Sequence, residues 1–235
     1  MKDWWRFGTG RATDWNRMNT HPTGVRRRIP AVTTPELDIS GPREHADAVV
    51  LVLHGGRATS VAPARRGLAW LRMVPFARAI AWSTRGRKVA VWTLRYRVRG
   101  WNGAAEDPVA DTRWALEEAR RRHPGARIVL VGHSMGGRVA LRLAGEPDVV
   151  GVCALAPWIE AGEPAPKHSA SVLIAHGEDD QVTNPASAAA YAARIGASFV
   201  PVPGESHALL RRPVFWNRLV TGFVTSALDV ESHAH

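Results

Sequence analysis

Short apolar runs recur along this chain, and the stretches between them carry helical spacing. Residues 48–53, 88–94, 127–132, 149–155, 171–175 and 198–202 are brief and mostly apolar. Runs of that length and composition predict strands buried on both faces. Between them, apolar positions at three- and four-residue intervals predict helices at about 63–84, 106–123, 136–145, 185–195 and 208–227. Pro185 suits the first helical position with Asn184 as its cap, and Asp111, Arg113, Trp114 and Leu116 give the 106–123 segment an amphipathic mix. Residues 31–39 read as an additional edge strand. Strand and helix alternate throughout, which predicts an α/β fold: one domain, a mostly parallel central sheet and helices on both faces.

The organisation follows from that pattern. Residues 1–46 form a leader with Trp4, Trp5 and Trp15 and a Pro/Thr-rich connection near Pro30–Pro35, residues 47–228 form the α/β domain, and 229–235 are a polar tail. No internal repeat or low-complexity block interrupts it.

The richest segment is Ile128-Val-Leu-Val-Gly-His-Ser-Met-Gly-Gly137, an apolar run breaking into a turn and then a helical pattern. A serine held between strand and helix needs small neighbours, because the backbone there is strained and closely packed. Gly132 and Gly136 flank Ser134 at two residues on either side, and the helix N-terminus beyond lends positive potential where an oxyanion would form. Ser134 therefore reads as a nucleophile rather than a structural turn residue. A serine hydroxyl is a poor nucleophile at neutral pH, so a base must take its proton and a third group must orient that base.

Two further strand ends carry comparable patterns: His54-Gly-Gly-Arg57 after the 48–53 run, and His176-Gly-Glu-Asp-Asp-Gln-Val182 after the 171–175 run. With the serine turn between them, the chain resembles the α/β-hydrolase superfamily over roughly residues 45–228, in the small single-domain format of its serine esterases, lipases and thioesterases. The resemblance implies a triad in the order serine, acid, histidine. It implies Asp180 as the acid, three residues past Gly177. Asp179 is the alternative, being a residue more apt to make turn hydrogen bonds. It also implies a late histidine as the base. His233 and His235 lie in the polar tail, so His207, after the 198–202 run and before an apolar helix, is the candidate. The oxyanion hole would be the backbone N–H groups of Met135 and Gly56, with Arg57 the alternative to Gly56. His54 then supports its loop and is not a second base.

What this implies is cleavage of a carboxylic ester or thioester through an acyl-enzyme on Ser134. An acyltransferase or cofactor-free lyase on the same fold is the alternative, as is a binding protein that has lost the chemistry. Fold and triad do not select among substrates. Arg57, Trp101 and Trp158 fall in loops at the strand ends and are the candidate substrate-pocket residues. The 157–170 connection is too short for a cap domain. No cysteine, aspartate or second histidine has zinc spacing around His54 or His133, so neither a metal nor an organic cofactor is expected.

Composition narrows the setting. With 235 residues, 45% hydrophobic and 22% charged, the chain has ample material for one core. The single cysteine, Cys153, sits in an apolar run and reads as a small buried hydrophobe, so no intrachain disulfide is available. The first residues lack an apolar core of secretory length, and the most apolar helical stretch, 68–82, holds Arg72, Pro75 and Arg78. The expectation is a cytoplasmic protein without a membrane span. The net charge of +10 comes from 31 basic and 21 acidic residues, and no nucleic-acid-binding motif accompanies it. A solvated basic face is the plain reading. Beyond it lie attraction to anionic substrates and peripheral contact of the leader with an anionic membrane surface.

Overall fold

A computed structural model describes residues 34–229. The leader up to residue 33 and the tail from residue 230, including the expectations placed on Trp4, Trp5 and Trp15, lie outside the described residues.

Among the described residues seven strands form one sheet: β1 (Glu36–Ser40), β2 (Ala48–Leu53), β3 (Val89–Arg95), β4 (Arg127–His133), β5 (Val149–Leu155), β6 (Ser171–Gly177) and β7 (Ser198–Val202), in the order β1-β3-β2-β4-β5-β6-β7. Only β1 runs antiparallel, pairing along β3 from Glu36 opposite Arg95 to Ser40 opposite Val91. The other pairings are parallel, as expected for strands that read as unbroken apolar runs.

The helices are α1 (Leu68–Ser83), α2 (Asp107–Arg122), α3 (Met135–Arg142), α4 (Pro185–Ile195) and α5 (Pro213–Asp229). They cover both faces. Val49, Leu51 and Leu53 point with Leu116, Val139 and Tyr191 into one core, while Val50 and Val52 point with Met73, Phe76, Trp216 and Val224 into the other. The period of two along β2 thus sends alternate residues to α2, α3 and α4 on one side and to α1 and α5 on the other. Asn184 caps α4 as expected, its side chain accepting from the N–H groups of Ala186 and Ser187.

Two helix starts differ from the sequence expectation. α1 begins at Leu68 rather than near 63, because residues 62–64 make backbone contacts with the loop after β3: Ala64 N–H donates to Arg97 O and Arg99 N–H to Ala62 O. α5 begins at Pro213 rather than 208, because the intervening segment is drawn into the loop that carries His207. Among the described residues no helix is long and apolar enough to cross a membrane.

The chain leaves β2 to form β3 on one side and returns to place β4 on the other. That reversal opens a crevice beyond the carboxyl ends of β2 and β4, the position where open α/β sheets bind ligands.

Candidate active site

Ser134 sits at that crevice, in the single residue between β4 and α3, with φ 57° and ψ −119°. This is a conformation a residue with a Cβ adopts only when its surroundings hold it there. The hold is visible. Ser134 N–H donates to Leu155 O at 3.0 Å, and its carbonyl accepts from Arg138 N–H at 3.1 Å and Trp158 N–H at 3.2 Å. Gly132 and Gly136 make the tight turn possible: a Cβ on Gly132 would strike the Gly136 carbonyl, and one on Gly136 would strike the Leu53 carbonyl.

His207 Nε2 lies 3.1 Å from Ser134 Oγ, and His207 Nδ1 lies 2.8 Å from Asp180 Oδ2. The structure therefore brings together the three residues that sequence reasoning selected, from loops after β4, β6 and β7. It also separates the two aspartates. Asp180 is buried, whereas Asp179 is exposed and pairs with Arg211 at 3.2 Å.

Asp180 is densely supported. Its Oδ1 accepts from Val182 N–H at 2.7 Å and Thr183 N–H at 3.0 Å, and its Oδ2 accepts from Thr183 Oγ1 at 2.7 Å and His176 Nε2 at 3.0 Å. Burial alone would raise its pKa. The hydrogen bonds from His176, His207 and the two amides outweigh that and hold the carboxyl well below the usual carboxylate range.

The loop bearing His207 is fixed by Glu205, which sequence reasoning missed. Its buried carboxylate accepts from Trp216 Nε1 at 3.0 Å and from the backbone N–H groups of Ser206 at 3.0 Å, Arg211 at 3.4 Å and Arg212 at 3.1 Å. Those amides are why the helix starts late. Leu209, with φ 57°, marks the kink. Thr183 and His176 were likewise not foreseen as supports. Their signal was the spacing around Asp180, which places both within one turn of it.

His133 and His54 are not spare bases. Burial, then the neighbouring His207, lowers His133 to about 3, and its Nε2–H donates to the His207 carbonyl at 2.9 Å. Burial lowers His54 to about 4, and its Nδ1–H donates to Gly55 O at 2.7 Å. Both are neutral at neutral pH and serve as braces.

The loop after β2 runs beside the serine: a Cβ on Gly55 would come within 3.3 Å of Ser134 Cβ. Arg57 N–H is committed to Arg99 O at 2.8 Å, while the N–H groups of Gly56 and Met135 have no backbone acceptor among the described residues. Gly56 is sterically required, since a Cβ there would fall 2.5 Å from both Met135 Sδ and Arg99 O.

Arg57, Trp101 and Trp158 do not line one pocket. Trp101 and Trp158 meet edge-on at 6.1 Å and line a cavity of about 390 Å³ with Arg138 and Glu160. Arg57 lines a different one, of about 270 Å³, with His54, Gly55, Gly56, Arg65 and Arg99. The Arg138 guanidinium stacks 4.0 Å from the Trp101 ring centre and 4.5 Å from that of Trp158, while its NH2 group pairs with Glu163 at 2.7 Å. That buried cluster ties the 156–170 connection, which holds no helix, to α3. Among the described residues no three His, Cys, Asp or Glu side chains are grouped to hold a metal ion.

Comparison with known proteins agrees with the fold. No curated protein matches the chain. Solved structures do: a serine hydrolase without lid from Xanthomonas campestris (19% identity, 82% of this chain and 88% of that one, TM-score 0.61) and a protein of unknown function from Agrobacterium tumefaciens (16%, 84% and 93%, 0.66). A monoacylglycerol lipase from Paleococcus ferrophilus is also similar (14%, 82% and 99%, 0.60). At these identities the likeness establishes the fold. The sequence profile of the Alpha/beta hydrolase family matches residues 49–171, more than half of the chain, from β2 through the serine turn to the start of β6, and the chain belongs to that family.

Proposed function

We propose that the protein is a serine hydrolase that cleaves a carboxylic ester or thioester through an acyl-enzyme on Ser134. The observation that carries the reading is the unbroken line Ser134 Oγ–His207 Nε2 at 3.1 Å and His207 Nδ1–Asp180 Oδ2 at 2.8 Å, with the serine in a strained turn at the crevice.

In this reading His207 Nε2 takes the Ser134 proton as Oγ attacks the substrate carbonyl carbon. Ionised Asp180 accepts from His207 Nδ1–H, which leaves the Nε2 lone pair facing the serine and stabilises the imidazolium once formed. The carbonyl oxygen becomes an oxyanion and is met by the N–H groups of Gly56 and Met135, the latter at the N-terminus of α3. The tetrahedral centre collapses, His207 returns the proton to the departing alcohol or thiol, and the acyl group stays on Oγ. Water then enters, gives its proton to His207 and attacks the acyl carbon. Collapse releases the acid and restores the Ser134 hydroxyl.

A fluorophosphonate probe tests this directly, since it reacts only with an activated serine. Labelling on the peptide that contains Ser134 is expected, together with turnover on a panel of p-nitrophenyl esters and acyl-thioesters. An unlabelled serine refutes it.

A further inference from the structure

The cavity beside the Gly55–Gly56 loop has an unusual charge inventory. Its lining includes His54, Gly55, Gly56 and three arginines, Arg57, Arg65 and Arg99, and among the described residues no acidic one. Three neighbouring arginines are matched by carboxylates. Arg66 pairs with Asp38 at 2.6 Å, Arg95 with Glu36, and Arg97 with Asp111 at 2.5 Å and Asp107 at 3.2 Å. Arg57, Arg65 and Arg99 have no carboxylate partner among the described residues. A second observation belongs to the same cavity: the His54 ring is buried, its Nδ1–H is spent on Gly55 O, and its Nε2 has no hydrogen-bond partner among the described residues. With Nδ1 carrying the proton, Nε2 is an acceptor, suited to a ligand hydroxyl or a bridging water beside the guanidinium groups.

The cavity's place relative to the triad fixes which part of a substrate reaches it. The leaving oxygen must face His207 Nε2 to receive its proton, and no residue of the 205–212 loop lines the cavity. Gly55, which lines the cavity, is beside Ser134, so a group lodged there would belong to the acyl side of the scissile bond.

We infer that this cavity is an acyl-side anion subsite, and that the substrate is an ester whose acyl chain ends in a carboxylate, held by Arg57, Arg65 and Arg99. This rests on the hydrolase reading and names the substrate class for it. Guanidinium groups engage carboxylates through paired N–H donors, and three of them around a small cleft leave an uncharged acyl chain with nothing to match. All three arginines are exposed, so their attraction is screened by salt.

Matched alkyl esters test it by titrating released acid at constant pH: monomethyl glutarate against methyl pentanoate, and monomethyl adipate against methyl hexanoate. Each pair has equal chain length and differs by a terminal carboxylate or methyl group. The half-esters should show kcat/KM at least tenfold above their neutral counterparts at 20 mM salt, mostly through KM, and that ratio should fall at 500 mM salt. The double variant Arg65→Gln/Arg99→Gln should bring the ratio close to one. Half-esters turned over no faster than neutral esters, or not at all, overturn the inference, as does a preference that survives the double variant. Fluorophosphonate labelling, measured first, keeps the two readings apart. A labelled Ser134 with no anionic preference removes the subsite alone, while an unlabelled one removes the hydrolase reading beneath it.

Discussion

Replacing Asp180 by asparagine separates the orienting role of the carboxylate from its structural one. The amide is nearly isosteric, and its carbonyl can take the place of Oδ1, still accepting from Val182 and Thr183 N–H at 2.7 and 3.0 Å. The NH2 group then occupies the Oδ2 position, 2.8 Å from His207 Nδ1 and 3.0 Å from His176 Nε2. An amide there donates, so it stabilises the His207 tautomer with a bare Nδ1 and a protonated Nε2. That tautomer presents a hydrogen to Ser134 Oγ and cannot take its proton. An equivalent loss of tautomer and countercharge in a serine triad lowers turnover by about 10,000-fold, or about 5.5 kcal/mol of transition-state stabilisation. Asp179→Asn breaks only an exposed pair with Arg211 at 3.2 Å, an interaction of about 1 kcal/mol or less, and should leave turnover within a few-fold of wild type. Steady-state kcat/KM on one p-nitrophenyl ester, with circular dichroism to confirm folding, decides it. Asp180→Asn turnover within tenfold of wild type, or an Asp179→Asn defect as large, would refute the tautomer argument.

Other outcomes follow from the same coordinates. Ser134→Gly should abolish probe labelling yet raise Tm by about 2–6 °C in a calorimeter, because glycine relieves the strain at φ 57° worth about 1–2 kcal/mol; an unchanged or lower Tm would argue that the turn is not strained. Glu205→Ala should cost about 3 kcal/mol or more in urea denaturation, since it strands the Trp216 indole and the buried side of three backbone amides, and it should reduce kcat by loosening His207. The carboxyls of both Asp180 and Glu205 titrate below their ordinary range, for Glu205 because hydrogen bonds from Trp216 and the backbone overcome burial. Their stabilisation is therefore complete only above about pH 5 and lost progressively as pH falls further, and the acid-unfolding slope should be shallower in Asp180→Asn than in wild type. Exhaustive EDTA treatment should leave esterase turnover intact, whereas loss restored only by added zinc would contradict a mechanism resting on the triad.

What was legible in the sequence was what is local. Six strands and the serine turn are short continuous patterns, and His207 stands beside a strand end where few histidines compete. Asp180 is reached through the resemblance of its turn to the superfamily's acid-bearing pattern, since the turn alone offers Glu178, Asp179 and Asp180. The differences arise where a side chain outside a segment decides that segment's local outcome. The apolar Ala208-Leu-Leu210 looks helical, yet Glu205 gathers the amides of Ser206, Arg211 and Arg212 and holds the segment as a loop. Arg57, Trp101 and Trp158 stand in separate strand-end loops, and which of those loops face one another is not written in their spacing. The buried Arg138 reaches out from α3 to stack on both tryptophans, and nothing in the spacing of these residues foretells that stack.

The parallel pairing of β5, β6 and β7 has a consequence for how this protein folds. Leu155 stands opposite Ala175, Ala175 opposite Val200, and Gly177 opposite Val202, so that alignment alone sets how far the Asp180 and His207 turns project beyond the sheet. Sliding β6 by two residues would keep its buried side chains on their proper faces but shift Asp180 by about 6.6 Å along the strand axis, far outside reach of a bond now 2.8 Å long. A compact, helix-rich, correctly buried chain in that misaligned state would be silent toward ester. Catalytic competence is thus a clock for the slowest long-range step of folding, and on dilution from denaturant turnover should return after the far-ultraviolet helical signal.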